Sequence, residues 1–114
     1  MLAEDESITL EEVQVDVEAE WTRFRRLCSE AMGIERNPQA LAALPDQLEE
    51  LSRLPLSEDR SALELRSAAI LARLMSRAAG LRTESRGVHH RVDMPDPEPA
   101  WAGVRLRIAL TDLP

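Results

Sequence analysis

One stretch governs what this chain can fold into: the alanine- and leucine-rich run from Ser57 to Leu81. Ser57 followed by Glu58 and Asp59 reads as a helix start, a hydroxyl cap with acids in the positively polarised first turn. From there apolar side chains recur at helical spacing and cover roughly 200° of the circumference. Leu63, Ile70, Leu74 and Leu81 share one side, while Ala68, Leu71, Met75 and Ala78 carry the apolar surface round the axis. Arg66, Arg73 and Arg77 form the polar strip. A helix apolar over so wide an arc needs more than one neighbour, so it is predicted to be the central element.

Two earlier segments supply neighbours. Thr9-Leu10-Glu11-Glu12 matches a capping box, with Thr9 at the N-cap and Glu12 three residues on. Leu10, Val13, Val17, Trp21, Phe24, Leu27 or Cys28, and Ala31 then follow at spacings of three and four, which suits an amphipathic helix. The alternation Val13-Gln14-Val15-Asp16-Val17 also suits a strand, so the start of this element stays open. Gly33 is placed to end it. Asn37-Pro38 reads as a cap followed by proline in the first turn, and Leu41, Leu44, Leu48 and Leu51 make the stripe of a second helix. Pro45 falls inside that stripe and predicts a kink or a restart. Leu54-Pro55-Leu56 is the connection to the third helix.

Periodicity stops after Gly87. Pro95, Pro97 and Pro99 favour extended backbone. Val104 to Leu110 alternates at first as an edge strand would, but one strand cannot make a sheet and must lie across something or find a partner. The expected architecture is therefore all-α: a spectrin-like three-helix up-down bundle over residues 9–86. A loose acidic N-terminus over 1–8 precedes it, and an extended segment and tail over 87–114 follows.

Composition narrows the chemistry. A chain of 114 residues fits one domain and can bury a real core. The net charge is −7, and residues 1–20 hold eight acids and no base. Such a balance argues against nucleic acid, which needs clustered positive charge. The acidic start is either a frayed tail leading into a solvated helix face or a surface for a basic partner. The lone Cys28 cannot form an internal bridge, which points to a reducing, cytoplasmic setting. No run of about 18 apolar residues and no signal-peptide pattern occurs, so no membrane partner is expected.

Catalytic and ligand-binding patterns are missing. His89 and His90 are adjacent, which puts them on opposite sides of an extended backbone rather than on one metal ion. Cys28 lies on an apolar stripe and reads as a small hydrophobe. The four glycines (Gly33, Gly80, Gly87, Gly103) make no nucleotide-binding loop, and no G-x-S-x-G elbow is present. Trp21, Met32 and Met75 fall on helical spacing and read as core. Trp101 follows three prolines and either anchors the tail or faces a partner.

The remaining feature is Arg82-Thr83-Glu84-Ser85-Arg86-Gly87-Val88-His89-His90-Arg91-Val92-Asp93-Met94-Pro95. Read blandly, it is a charged helix end, with Arg82 and Arg86 offsetting C-terminal carbonyls. Read functionally, arginine forks and a carboxylate hold one another in a rigid polar knot that a second domain can cover.

This segment resembles the E-S-R-G-x-H-x-R-x-D-x-P signature of the flavoproteins that include L-aspartate oxidase and the flavoprotein subunits of succinate dehydrogenase and fumarate reductase. Glu84, Ser85, Arg86, Gly87, His89, Arg91, Asp93 and Pro95 match it. Gly33-Ile34-Glu35-Arg36 resembles the family's G-[IV]-x-R turn after a first helix. Glu64 and Ala72 fit the third helix, and Trp101 fits a tryptophan found soon after the signature. The likeness covers residues 20–101. Ser67 replaces a usual asparagine, His90 a common tyrosine, and Pro45 interrupts a helix that is normally smooth. The chain stops thirteen residues after Trp101, which is more similar to L-aspartate oxidases than to the longer succinate dehydrogenase type.

The resemblance implies a parent enzyme that oxidises L-aspartate to iminoaspartate with FAD, reducing oxygen or fumarate, in the route to NAD. It implies that the flavin, the substrate and the catalytic groups belong to other domains. No catalytic, cofactor-binding or metal-binding residue is therefore expected here. The implied role is docking on the flavin domain, with Arg82, Glu84, Arg86, His89, Arg91 and Asp93 in the connecting motif. The alternatives are the equivalent domain of a succinate dehydrogenase or fumarate reductase flavoprotein, or a free-standing helical interaction module that self-associates.

Overall fold

A computed structural model describes residues 10–113. Four helices, α1 (Val17–Met32), α2 (Pro38–Gln47), α3 (Glu49–Ser52) and α4 (Arg60–Leu81), precede two single 3-10 turns at Pro99–Trp101 and Leu110–Asp112. Among the described residues no strand forms, so the all-α expectation holds.

The start of α1 differs from the sequence reading. The proposed cap at Thr9 lies outside the described residues, and residues 10–16 are neither helix nor strand. The helix begins at Val17, where the Asp16 carboxylate accepts from the Ala19 amide at 3.1 Å, with Glu18 and Glu20 in the first turn. A carboxylate cap on a positive helix end outcompetes a start among β-branched Val13 and Val15. The Glu11 amide donates to the Leu56 carbonyl at 2.6 Å, pinning this lead-in beside the approach to α4. Gly33 ends α1, but in extended backbone (φ −73°, ψ −159°) rather than the left-handed geometry of a usual C′ glycine. The need is space: a Cβ there would sit 2.5 Å from the Ser29 carbonyl oxygen.

Asn37 caps α2 as expected, its side chain accepting from the Ala40 amide at 2.7 Å with Pro38 in the first turn. The predicted restart also occurs, three residues after Pro45, at Leu48 (φ −102°, ψ 1°). In a continuous helix the Pro45 carbonyl would take the Glu49 amide. Here it accepts from Arg73 Nε at 2.9 Å instead. Arg73 Nη1 reaches Ser52 Oγ at 3.1 Å, and that hydroxyl donates to the Glu49 carbonyl at 2.6 Å. Arg73 is therefore no part of a solvated strip: only 6% exposed, it stitches the break between α2 and α3.

The N-cap of α4 is Asp59, accepting from the Ala62 amide at 3.2 Å. Ser57, expected in that role, is buried one step earlier and accepts from the Asp59 amide at 3.2 Å. Helix α4 packs on α1, α2 and α3, which makes it central. Its inner face is Ala62, Leu65, Ala69, Ala72, Ser76 and Ala79, all buried. The larger Leu63, Ile70 and Leu74 are only half-buried, and Leu71 and Met75 are 57% and 50% exposed. Close approach of three helices favours small residues, so the alanine side takes the core and the leucine side faces outward.

Leu27, Ala31, Leu44, Leu48, Leu51, Leu54, Leu65, Ala69 and Ala72 fill the centre, with Trp21, Phe24 and Met32 packed against them. Trp21 Nε1 donates to Ser61 Oγ at 3.0 Å, placing the starts of α1 and α4 side by side. Arg23 donates to the Gln47 carbonyl at 3.1 Å, placing the start of α1 beside the end of α2. The order is thus up, down, up, with the middle strut in two pieces.

Candidate functional site

Helix α4 ends where Arg82 turns into extended backbone (φ −81°, ψ 99°). The next sixteen residues build one polar knot on that end. At its centre Glu84 is fully buried. Both its oxygens accept from Arg86 Nε at 3.1 Å, one also takes the Glu98 amide at 2.9 Å, and the other takes Arg82 Nη1. Hydrogen bonding from Arg86 foremost, then from the Glu98 amide and Arg82, holds its carboxyl at about 2 against the opposing effect of desolvation.

Ser85 is the second centre. Its hydroxyl accepts from the Arg91 amide at 2.8 Å and donates to the Met94 carbonyl at 2.7 Å. That pair closes two successive tight turns, Arg86 to His89 and Arg91 to Met94. Gly87 permits the first with φ +58°. Where the sequence suggested extended chain, residues 86–94 are therefore folded back on themselves. Local side chain-to-backbone bonds outweigh the extending tendency of the prolines, which begin only at Pro95.

Arg91, 4% exposed, closes the end of α4: Nη1 donates to the Gly80 carbonyl at 2.9 Å and the Arg82 carbonyl at 3.2 Å. Its other edge meets Asp93 in a two-bond fork at 2.9 and 2.8 Å. That fork lowers the Asp93 pKa. His89 is set by its partners. Nε2 lies 3.1 Å from the Arg82 carbonyl, an acceptor, so Nε2 carries the proton. Nδ1 faces Arg36 Nη1 at 2.9 Å and accepts from it. Burial first, then the charges of Arg36, Arg91 and Arg82, push its pKa down and keep it neutral.

All six residues singled out in the sequence converge here, with Asp93 joined through Arg91. His89 points in and His90 out, on opposite sides as expected. Sequence reasoning missed Arg36 as a member. Its amide donates to the His90 carbonyl at 2.8 Å, and its carbonyl accepts from the Val92 amide at 2.9 Å. The G-[IV]-x-R turn was the signal that could have found it. Trp101 resolves to an anchor: Arg82 stacks 5.1 Å from its ring centre, and its indole donates to Thr83 Oγ1 at 3.0 Å. The tail beyond forms no strand; Val104 gives its carbonyl to Arg82.

Residues 21–107 match the model of the fumarate reductase flavoprotein C-terminal family. The chain belongs to that family. Over 99 residues, covering 78% of this chain and 18% of the relative, it is 32% identical to an L-aspartate oxidase of Pseudomonas aeruginosa. It is 50% identical over 40 residues, 35% of this chain and 7% of the relative, to a fumarate reductase (CoM/CoB) of Methanothermobacter marburgensis. An FAD-dependent oxidoreductase of Methanocaldococcus jannaschii is 27% identical over 87 residues, 70% of this chain and 16% of its own length. The chain thus spans less than a fifth of these curated relatives. No solved structure matches it.

A flavin does not fit the groups present. Pyrophosphate binding uses free amides at a helix N-terminus. The side chains of Asp16, Asn37 and Asp59 close the N-termini of α1, α2 and α4, two of them with negative charge. Among the described residues no three metal-binding side chains converge, and no helix is long and apolar enough to cross a membrane.

Proposed function

We propose that this chain serves as the C-terminal helical domain of an L-aspartate oxidase, a cytoplasmic FAD enzyme that converts L-aspartate to iminoaspartate on the way to NAD. It supplies no catalytic group. Its work is to pack on the flavin domain through the end of the bundle that carries Arg82, Glu84, Arg86, His89, Arg91 and Asp93. The observation that carries this reading is the likeness to the Pseudomonas aeruginosa L-aspartate oxidase across 78% of the chain. The knot supports it: a preorganised, mutually satisfied polar platform costs little further ordering when another domain covers it. The shorter, 50% identical match to a fumarate reductase favours a second reading, the same role in a fumarate-reducing flavoprotein.

The test is complementation. The chain is co-expressed with the Pseudomonas aeruginosa enzyme truncated before its matching segment, and that enzyme's own segment is the positive control. Co-purification and aspartate-dependent bleaching of the flavin are expected. A chain that neither binds nor restores bleaching, while the control does, refutes the role. Bleaching absent with aspartate, but reoxidation of chemically reduced flavin by fumarate restored, selects the second reading.

A further inference from the structure

Two aliphatic side chains stand outside the molecule's own packing: Ile34 is 90% exposed and Val88 is 91% exposed. Single exposed aliphatics are ordinary. These two differ because the loops that carry them are clamped together. Ile34 sits between α1 and α2, and Val88 at the tip of the Arg86–His89 turn. The clamp is the pair of backbone bonds between Arg36 and residues 90 and 92, at 2.8 and 2.9 Å, reinforced by Arg36 Nη1 on His89 Nδ1 at 2.9 Å. The two side chains line one shallow depression with Met32 and His90.

The residues beneath are spent internally. Glu84, Ser85, His89 and Arg91 are buried and bonded to one another or to backbone. They leave little to offer a partner directly. What they do is hold Val88 and Ile34 outward on rigid supports, an apolar centre with exposed Glu35, Arg86 and His90 around it. Rigid apolar anchors with a polar rim are how binding energy concentrates at protein interfaces.

We propose that the Ile34–Val88 ridge is the contact made with the flavin-bearing portion of the enzyme, and that the signature knot is its scaffold rather than the contact itself. This rests on the function proposed above. The occupant follows from two facts. The relatives carry more than four-fifths of their length beyond the segment matched here, against which such a ridge can pack. A second copy of this chain would instead bring another charge of −7 to the same surface.

The complementation assay separates the two levels. Ile34→Glu with Val88→Glu is expected to weaken co-purification at least tenfold with an unchanged helical spectrum and melting curve. Leu71→Glu with Met75→Glu, on the exposed side of α4, is expected to bind as the unaltered chain does. Should the glutamates disturb folding, Ile34→Ser with Val88→Ser is expected to give the same loss. Unaltered chain that binds alongside a ridge variant that binds equally well overturns this inference and leaves the proposed function standing. Failure of the unaltered chain to bind overturns both.

Discussion

At the scale of single residues, His89 and Gly33 make the sharpest claims. His89 is held neutral between an acceptor at Nε2 and a guanidinium at Nδ1. Its folded pKa lies below the ordinary 6.5, so the unfolded chain takes up the proton first as pH falls. The stability it contributes is fully present above 6.5 and is lost as pH drops through the depressed value. Glu84 behaves alike at lower pH, its contribution present above 4.5 and lost towards about 2. Urea midpoints from pH 8 to pH 5 should therefore fall, and His89→Gln should flatten that slope; an unchanged slope would refute the assignment. Gly33→Ala puts a methyl 2.5 Å from the Ser29 carbonyl and should cost about 1–3 kcal/mol in urea denaturation. That requirement was invisible in the sequence, where Gly33 read only as a helix stop. By contrast the E-S-R-G-x-H-x-R-x-D run announced its cluster plainly, because charges so dense and so near a helix end must satisfy one another. Arg36, fifty-three residues from His89, carried no local hint of membership beyond its turn motif.

At the scale of elements, caps and breakers were legible and faces were not. Asn37-Pro38 and Pro45 act through the adjacent backbone, so their effects can be read in place. Which side of α4 meets the core depends on how closely the other helices approach, which no local pattern encodes. The same blindness hid Arg73, assigned by spacing to solvent and found under the α2–α3 break. Its role there is to satisfy the Pro45 carbonyl and the Ser52 hydroxyl. Arg73→Ala strands both in the interior and opens a void, so it should destabilise by about 2–4 kcal/mol. Equilibrium denaturation followed by helical circular dichroism measures this. A loss under about 0.5 kcal/mol would mean that water or the helix itself satisfies those groups equally well.

At the scale of the whole molecule, the knot decides how far the cooperative unit extends. The turn after α1 reaches it through Arg36, α4 through the Gly80 and Arg82 carbonyls, and the tail through the Glu98 amide and Trp101. The bundle and the signature segment should therefore melt together, as one transition rather than two. Past Val104 the contacts thin: Arg105, Leu106 and Arg107 are exposed, and only Ile108 and Leu113 are partly covered. Two truncations test where the unit ends. A chain stopping after Arg105 keeps the Arg82–Trp101 stack and the Val104 carbonyl, and should stay within about 1 kcal/mol of the full chain. A chain stopping after Pro97 loses the Glu98 amide and the tryptophan together, leaving Glu84 and Arg82 short of partners inside the fold. It should melt well below the first, with the loss spread over the whole bundle because Glu84 braces the end of its central helix. Equal melting of the two truncations would show that the bundle stands without its knot, and the signature segment would then be a passenger on the helices rather than part of their core.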